Sequence, residues 1–199
     1  MQSSGLRLGA ALLAVLAGCR SLPPAPPPPP AESWDARRTQ LQSLQSFHLR
    51  GRVAVAAGDE GFNASLRWTQ QGDRSELALE GPLGVGGAQI SASGDELTVL
   101  TAHGERIESS AAHAELAARL GFDPPLASLR YWVLGVPDPA QPVEESLDPA
   151  QQRLAALVQQ GWRVEYQSYA AMSGEVLPAR MTLQRDAVRV RLLVDDWQR

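Results

Sequence analysis

The stretch Phe47-His48-Leu49-Arg50-Gly51-Arg52-Val53-Ala54-Val55 decides the fold. Phe47, Leu49, Gly51, Val53 and Val55 alternate with His48, Arg50, Arg52 and Ala54. A period of two puts the first set on one face of a strand and the second set on the other. The next run repeats it, with Phe62, Ala64, Leu66 and Trp68 against Asn63, Ser65, Arg67 and Thr69. Gly58-Asp59-Glu60-Gly61 joins the two runs as a hairpin. Gln71-Gly72-Asp73 predicts a second turn, after which Leu77 and Leu79 alternate. Residues 88–92, 97–100 and 106–108 continue the pattern, broken at Ser93-Gly94-Asp95 and His103-Gly104. Strands spaced by about ten residues with tight turns predict an antiparallel meander, apolar on one face and polar on the other.

Outward from this block the period changes. Before it, Trp34, Leu41 and Leu44 predict one short amphipathic helix. After it, Ser109-Ser110 reads as the cap of a helix carrying Leu116, Ala117 and Leu120, stopped by Gly121. Pro124-Pro125 predicts the start of another, with Leu126, Leu129, Trp132 and Val133 on one face and Gly135 and Pro137 at its end. Residues 138–149 read as loop and 150–160 as a further helical turn. Alternation then resumes at Trp162, Val164 and Tyr166, at 177–183, and at Val188, Val190, Leu192 and Val194. Strands, helices and strands in that order predict an α+β fold, a single antiparallel sheet with helices against its apolar face. A long twisted sheet curls. Helices inserted mid-chain then cover its open mouth and enclose an apolar cavity.

The N-terminus is of another kind. Residues 6–18 form a short apolar run with one basic residue, Arg7, ending in small residues. It is shorter than the roughly 20 residues a spanning helix needs, and reads as a secretory signal. Leu16-Ala17-Gly18 then precedes Cys19, the only cysteine of the chain. This resembles the bacterial lipobox, in which the cysteine is acylated and becomes the mature N-terminus. A leftover free thiol is the weaker alternative. Arg20 follows it; in Gram-negative lipoproteins an aspartate there signals inner-membrane retention, so its absence implies the outer membrane by resemblance. Pro23, Pro24 and the run Pro26–Pro30 predict an extended polyproline spacer; a docking motif for a proline-reading domain is the competing reading. The domains are therefore a signal over 1–18, a lipidated cysteine and proline-rich tether over 19–33, and a folded domain over 34–199.

The 199-residue chain carries a formal charge of −4, near −5 once Arg7 leaves with the signal, and its basic residues are all arginine. A mildly acidic chain without a basic cluster in sequence argues against nucleic-acid binding. No Gly-x-Ser-x-Gly elbow is present. His48, His103 and His113 are far apart and none stands at zinc-ligand spacing from another. Asp195-Asp196 lie on a strand, where neighbours point to opposite faces. Gly84-Val85-Gly86-Gly87 leads into a strand and not a helix N-terminus, so it lacks phosphate-loop geometry. No metal, cofactor or catalytic residue is expected. What remains is an apolar face. A lining of Phe62, Leu66, Trp68, Leu77, Leu79, Ile90, Val99, Leu129, Trp132 and Val164 is expected for an acyl-chain cavity, part of it packing as ordinary core.

Several segments carry a family resemblance: Leu49-Arg50-Gly51-Arg52-Val53, Leu66-Arg67-Trp68, Gly81-Pro82-Leu83-Gly84, the run 129–137 (LRYWVLGVP), Gly161-Trp162-Arg163-Val164-Glu165-Tyr166, Leu177-Pro178-Ala179-Arg180 and Asp196-Trp197. In this order, across residues 34–197, the chain resembles the LolB family of outer-membrane lipoprotein receptors. The proline run departs from the family pattern, in a spacer where sequence is free to change. The resemblance implies an unclosed antiparallel β-barrel with helices in its mouth. It also implies a task without catalysis, accepting triacylated lipoproteins from the periplasmic carrier LolA and passing them to the outer membrane. The expected partners are that carrier, the acyl chains of the cargo and the membrane; the chain is expected to act as a monomer. A lipid-anchored binding or scaffold module for another apolar ligand is the alternative. Proline and glycine in Gly81-Pro82-Leu83-Gly84 suit a type I turn, which leaves an apolar Leu83 unexplained. By resemblance, Leu83 is the tip that delivers cargo into the membrane, on a loop with Pro82, Gly84 and Val85.

Overall fold

The computed structural model describes residues 33–82, 87–172 and 174–198. The signal, Cys19, the tether up to residue 32, and Leu83, Gly84 and Val85 lie outside the described residues.

Strand β1 (Ser46–Ala57) buries Phe47, Leu49, Gly51 and Val55 and exposes His48, Arg50 and Arg52, as the alternation requires. It pairs with β2 (Glu60–Gln71) through a turn at Gly58-Asp59. β3 (Arg74–Glu80), β4 (Gly87–Ser93), β5 (Glu96–Thr101) and β6 (Arg106–Glu108) continue the meander, each against the one before. The last strand, β11 (Val188–Gln198), pairs with β1. From it β10 (Glu175–Arg185), β9 (Trp162–Met172), β8 (Arg153–Gln159) and β7 (Glu144–Asp148) run outward on the other side. The result is one antiparallel sheet of 11 strands, with β6 and β7 at its two edges and the β1–β11 seam inside. The chain crosses from one edge to the other through α2 (Ser109–Leu120) and α3 (Leu126–Trp132). The helices thus span an opening that the sheet leaves unclosed.

Two expectations are corrected. The loop expected over 138–149 holds only to residue 143, after which it becomes β7, and the helical turn expected over 150–160 is strand β8. Leu154 and Leu157 stand at helical spacing among alanines and glutamines, which is why the segment reads as helix. The override is the turn that follows: Gln160 and Gly161 take φ of 52° and 75°. Two successive positive φ values make the hairpin turn whose twist matches paired strands. The second correction is at α2. Its N-cap is Glu108, with no side-chain capping bond, and Ser109 has a φ of 58° instead of capping the helix.

The core lies between the sheet's apolar face and the helices. Phe47 is wedged between Trp68 and Trp197, with ring centroids 5.7 and 5.2 Å away. Gly51 faces inward at the seam, beside a register shift; a Cβ there would come within 2.4 Å of the Leu193 carbonyl oxygen. Only glycine permits that approach. Helix α1 (Trp34–Gln42) is capped by the Ser33 hydroxyl and clamps two strands of one wing. Trp34 and Arg38 both donate to the Glu145 carboxylate of β7, at 2.9 and 3.0 Å, and Arg37 donates to the Val176 carbonyl of β10.

Candidate functional site

The helices are held over the sheet unequally. Helix α3 is fixed by a buried polar cluster. Gln159 Oε1 accepts from Trp132 Nε1 at 2.7 Å and from the Asp138 backbone N–H at 3.0 Å. Its Nε2 donates to the carbonyls of Asp138 and Gln141, both at 2.9 Å. Ser128 Oγ donates to Asp138 Oδ2 at 2.6 Å, and Tyr166 donates its hydroxyl to the Trp132 carbonyl at 2.9 Å. Such groups are costly to bury unless satisfied, and here each has a partner. Helix α2 lacks this. It buries only Ala112 and Leu116 and ends at Gly121, in the left-handed conformation.

Beneath the segment from Leu120 to Val133 lies a cavity of about 100 Å³. Its walls are wholly apolar. Phe62, Leu66, Trp68, Leu77, Leu79, Ile90 and Leu129 line it, joined by Val53, Val55, Val190 and Leu192 from the seam and Leu183 from β10. The roof adds Leu120, Phe122, Pro124, Leu126 and Val133. The seam residues follow the same inward alternation as Phe62 and Leu66, so the pattern that found the first set also marks them. Val99, Trp132 and Val164 do not line it. Each is 0 % exposed and packed among other side chains, and Trp132 is turned to Gln159. Alternation assigns a face; it does not say whether a neighbour already fills the space in front.

A groove of about 340 Å³ adjoins the cavity and shares Phe62, Leu79 and Leu120 with it. It runs between Leu116 and Arg119 of α2 and the strand ends at Gly81, Pro82 and Gly87. Glu80 pairs with Gly87, and the groove leads from the cavity to Gly81 and Pro82 at the end of β3.

The side chains weighed for catalysis are dispersed. His48 Nδ1 lies 3.1 Å from Thr69 Oγ1, and His113 Nδ1 lies 3.5 Å from Asp123. Asp195 binds Arg52, while Asp196 accepts from Gln198. Among the described residues no group of 3 or more His, Cys, Asp or Glu is placed to hold a metal ion. No described helix is long and apolar enough to cross a membrane.

Comparison with known proteins agrees with this architecture. A family profile described as "Outer membrane lipoprotein LolB" matches residues 45–197. The chain is 36 % identical to an outer-membrane lipoprotein LolB of Nitrosococcus oceani over 187 residues, 94 % of this chain and 93 % of the relative. It is 34 % identical to one of Stutzerimonas stutzeri over 194 residues, 96 % and 94 % of the two chains. Among solved structures, a LolA superfamily protein of Nitrosomonas europaea superposes with a TM-score of 0.53 at 12 % identity, over 84 % of this chain and 94 % of that one. A DUF1329 family protein of Desulfovibrio piger gives a TM-score of 0.55 at 10 % identity, over 83 % and 89 %. The two structural likenesses speak for the fold alone.

Proposed function

The chain belongs to the LolB family of outer-membrane lipoproteins, and from that membership we propose how its parts divide the work of lipoprotein localisation. It is a lipid-anchored outer-membrane receptor that takes part in lipoprotein trafficking, with a LolA-type carrier and lipoprotein cargo as its partners. In this reading it accepts triacylated cargo from the carrier and inserts it into the outer membrane, as a monomer and without covalent chemistry. Cys19 carries the anchor, and residues 19–33 are the spacer.

The observation that carries the reading is the wholly apolar cavity under helices that bridge an open sheet. Burying a methylene is worth about 0.8 kcal/mol, so a 16-carbon chain carries on the order of 12 kcal/mol. Only an apolar enclosure offsets that cost in water. The cavity of about 100 Å³ is closed to such a chain; a cavity of about 150 Å³ takes only a benzene-sized guest. Loading therefore requires the roof to lift. Helix α2 and residues 121–125 are the part free to do so, since α3 is fixed by Gln159 and Tyr166. Phe62, Leu66, Trp68, Leu77, Leu79, Ile90 and Leu129 then meet the acyl chains, while Val99, Trp132 and Val164 support the walls. Pro82, Leu83, Gly84 and Val85 are the delivery loop, and Pro82 borders the groove leading from the cavity.

Transfer runs downhill in this scheme, with affinity rising from carrier to receptor and from receptor to bilayer. The test is acceptance: the carrier is loaded with radiolabelled lipoprotein and mixed with this protein. Label moving onto this chain supports the reading. Label remaining on the cognate carrier would point to a binding module for another apolar ligand.

A further inference from the structure

The outer face of the sheet, opposite the cavity, carries an arginine-lined groove. Cross-strand register builds it. Leu193 pairs with both Arg52 and Arg180, and Arg191 pairs with Ala54 and Thr182. Directly paired residues share a face, and the alternate positions Met181 and Leu192 are buried in the core. Arg52, Arg180 and Arg191 therefore converge on the outer side, where they line a groove of about 810 Å³. All three are exposed. Arg52 is bound by Asp195 at 2.9 Å. Arg180 and Arg191 form no ion pair among the described residues. The one carboxylate in the lining, Glu80, is already held by Arg67. Arg50 and Arg67 stand opposite each other on the same face, each with a carboxylate beside it, Asp196 across from Arg50 and Glu80 bound to Arg67, so the uncompensated guanidinium groups are those of Arg180 and Arg191. In a chain of net charge −4, this local excess of guanidinium calls for an anion. The planar guanidinium fork matches phosphate oxygens bidentately.

Gly81 and Pro82 border both this groove and the apolar groove that adjoins the cavity. The start of the delivery turn is thus the rim between an apolar path and a cationic surface. A bilayer has the same two layers, acyl chains and phosphates, side by side. We propose that the arginine groove seats the domain on the membrane by binding the phosphodiester headgroups of anionic phospholipids. This rests on the membrane-delivery reading above. A docking carrier would be expected at the helix side, where the cavity opens, and not on the opposite face.

The test uses the processed chain from residue 19 with Cys19→Ser, so that its own lipid does not hold it, and vesicles of phosphatidylethanolamine with or without phosphatidylglycerol. Binding is expected to depend on phosphatidylglycerol. It is expected to weaken as salt rises from about 0.01 M to about 1 M, which shortens the Debye length from about 30 Å to about 3 Å. Each arginine at an anionic surface is worth about fivefold, so Arg180→Gln with Arg191→Gln should bind about 30-fold more weakly. The double lysine variant should restore most of the binding, and the glutamine variant should keep the wild-type thermal midpoint, which shows that it is folded. Arg74→Gln with Arg106→Gln removes equal charge elsewhere and should change little. Equal loss in this control would overturn the proposal in favour of bulk charge. So would unchanged vesicle binding with lost acceptance from the carrier, which would make the groove a carrier contact. Acceptance by the wild type is measured separately; its failure would sink the transfer reading and leave the vesicle result standing.

Discussion

Leu83 departs from its neighbours in the sequence. Gly81, Pro82 and Gly84 answer to turn geometry, whereas a leucine at that place answers to nothing in the turn. Burying a leucine side chain is worth about 1.5–3 kcal/mol, which is about 10- to 100-fold at 1.4 kcal/mol per decade. Leu83→Glu is therefore expected to cut incorporation into vesicles by that factor while acceptance from the carrier and the thermal midpoint stay as in the wild type. Loss of acceptance would make Leu83 a packing residue. The buried tyrosines give a second expectation at this scale. Burial raises the phenol of Tyr166 well above its ordinary value and that of Tyr169 above it too, against the opposing pull of Arg37 and Arg153. Both stay protonated in the folded state at pH values where the unfolded chain ionises. Stability is then fully present below about pH 10 and falls above it, by up to about 1.4 kcal/mol per pH unit for each tyrosine. The chain has no lysine, so the alkaline limb belongs largely to tyrosine. Urea midpoints at about pH 9 and about pH 11 should separate in the wild type, and Tyr166→Phe with Tyr169→Phe should bring them together. An unchanged gap in the variant would show that other groups carry the limb.

At the scale of elements, sequence patterning reads strands better than connections. Phe47 to Val55 is legible because one face is buried and the other wet, so the chain itself records the pleat. β8 is not, because both its faces are partly covered: Ala156, Leu157 and Gln159 are all buried. Its alternation is erased, and the informative signal was the turn at Gln160-Gly161. Gln159 is the other loss. A glutamine beside a glutamine looks like surface, yet it ties α3 to β8, and only the three-dimensional path of residues 133–141 reveals it. The consequence is a difference in local stability between the helices. Replacing Gln159 by leucine would leave Trp132 Nε1 and the Asp138 N–H without their acceptor, and an orphaned buried group costs about 1–3 kcal/mol. Gln159→Leu should lower the urea midpoint and speed amide exchange in α3 toward that of α2. In the wild type, α2 should exchange faster than α3, since no buried polar network like that of Gln159 and Tyr166 ties it to the sheet. Equal protection of the two helices would remove α2 as the moving part of the roof.

At the scale of the molecule, the first and last strands meet in the middle of the sheet and the middle of the chain bridges its edges. This was legible only in part. The strand–helix–strand order predicts a curled sheet with helices across its mouth, but no local pattern says that β1 and β11 are neighbours. Their pairing joins residues nearly a whole domain apart, and the loop-closure entropy of such contacts must be overcome before they stabilise anything. The seam repays it with aromatic packing: Trp197 is 2 % exposed and contacts Phe47, which contacts Trp68. Truncating a buried tryptophan costs about 3–5 kcal/mol, a large share of the 5–15 kcal/mol that holds a typical domain. Trp197→Ala should therefore lower the urea midpoint with little change in slope, and destabilise the seam and both wings together. The edges differ. β6 has 3 residues and β7 has 5, and neither has a second strand partner. Protection from hydrogen exchange should fall from β1 and β11 outward to β6 and β7. In the proposed scheme such a gradient lets the receptor open its roof without unfolding, because α2 is attached at the weaker end. Exchange of all strands at one common rate would mean that opening and global unfolding are the same event. A cavity closed to acyl chains at rest could then not load on any useful timescale.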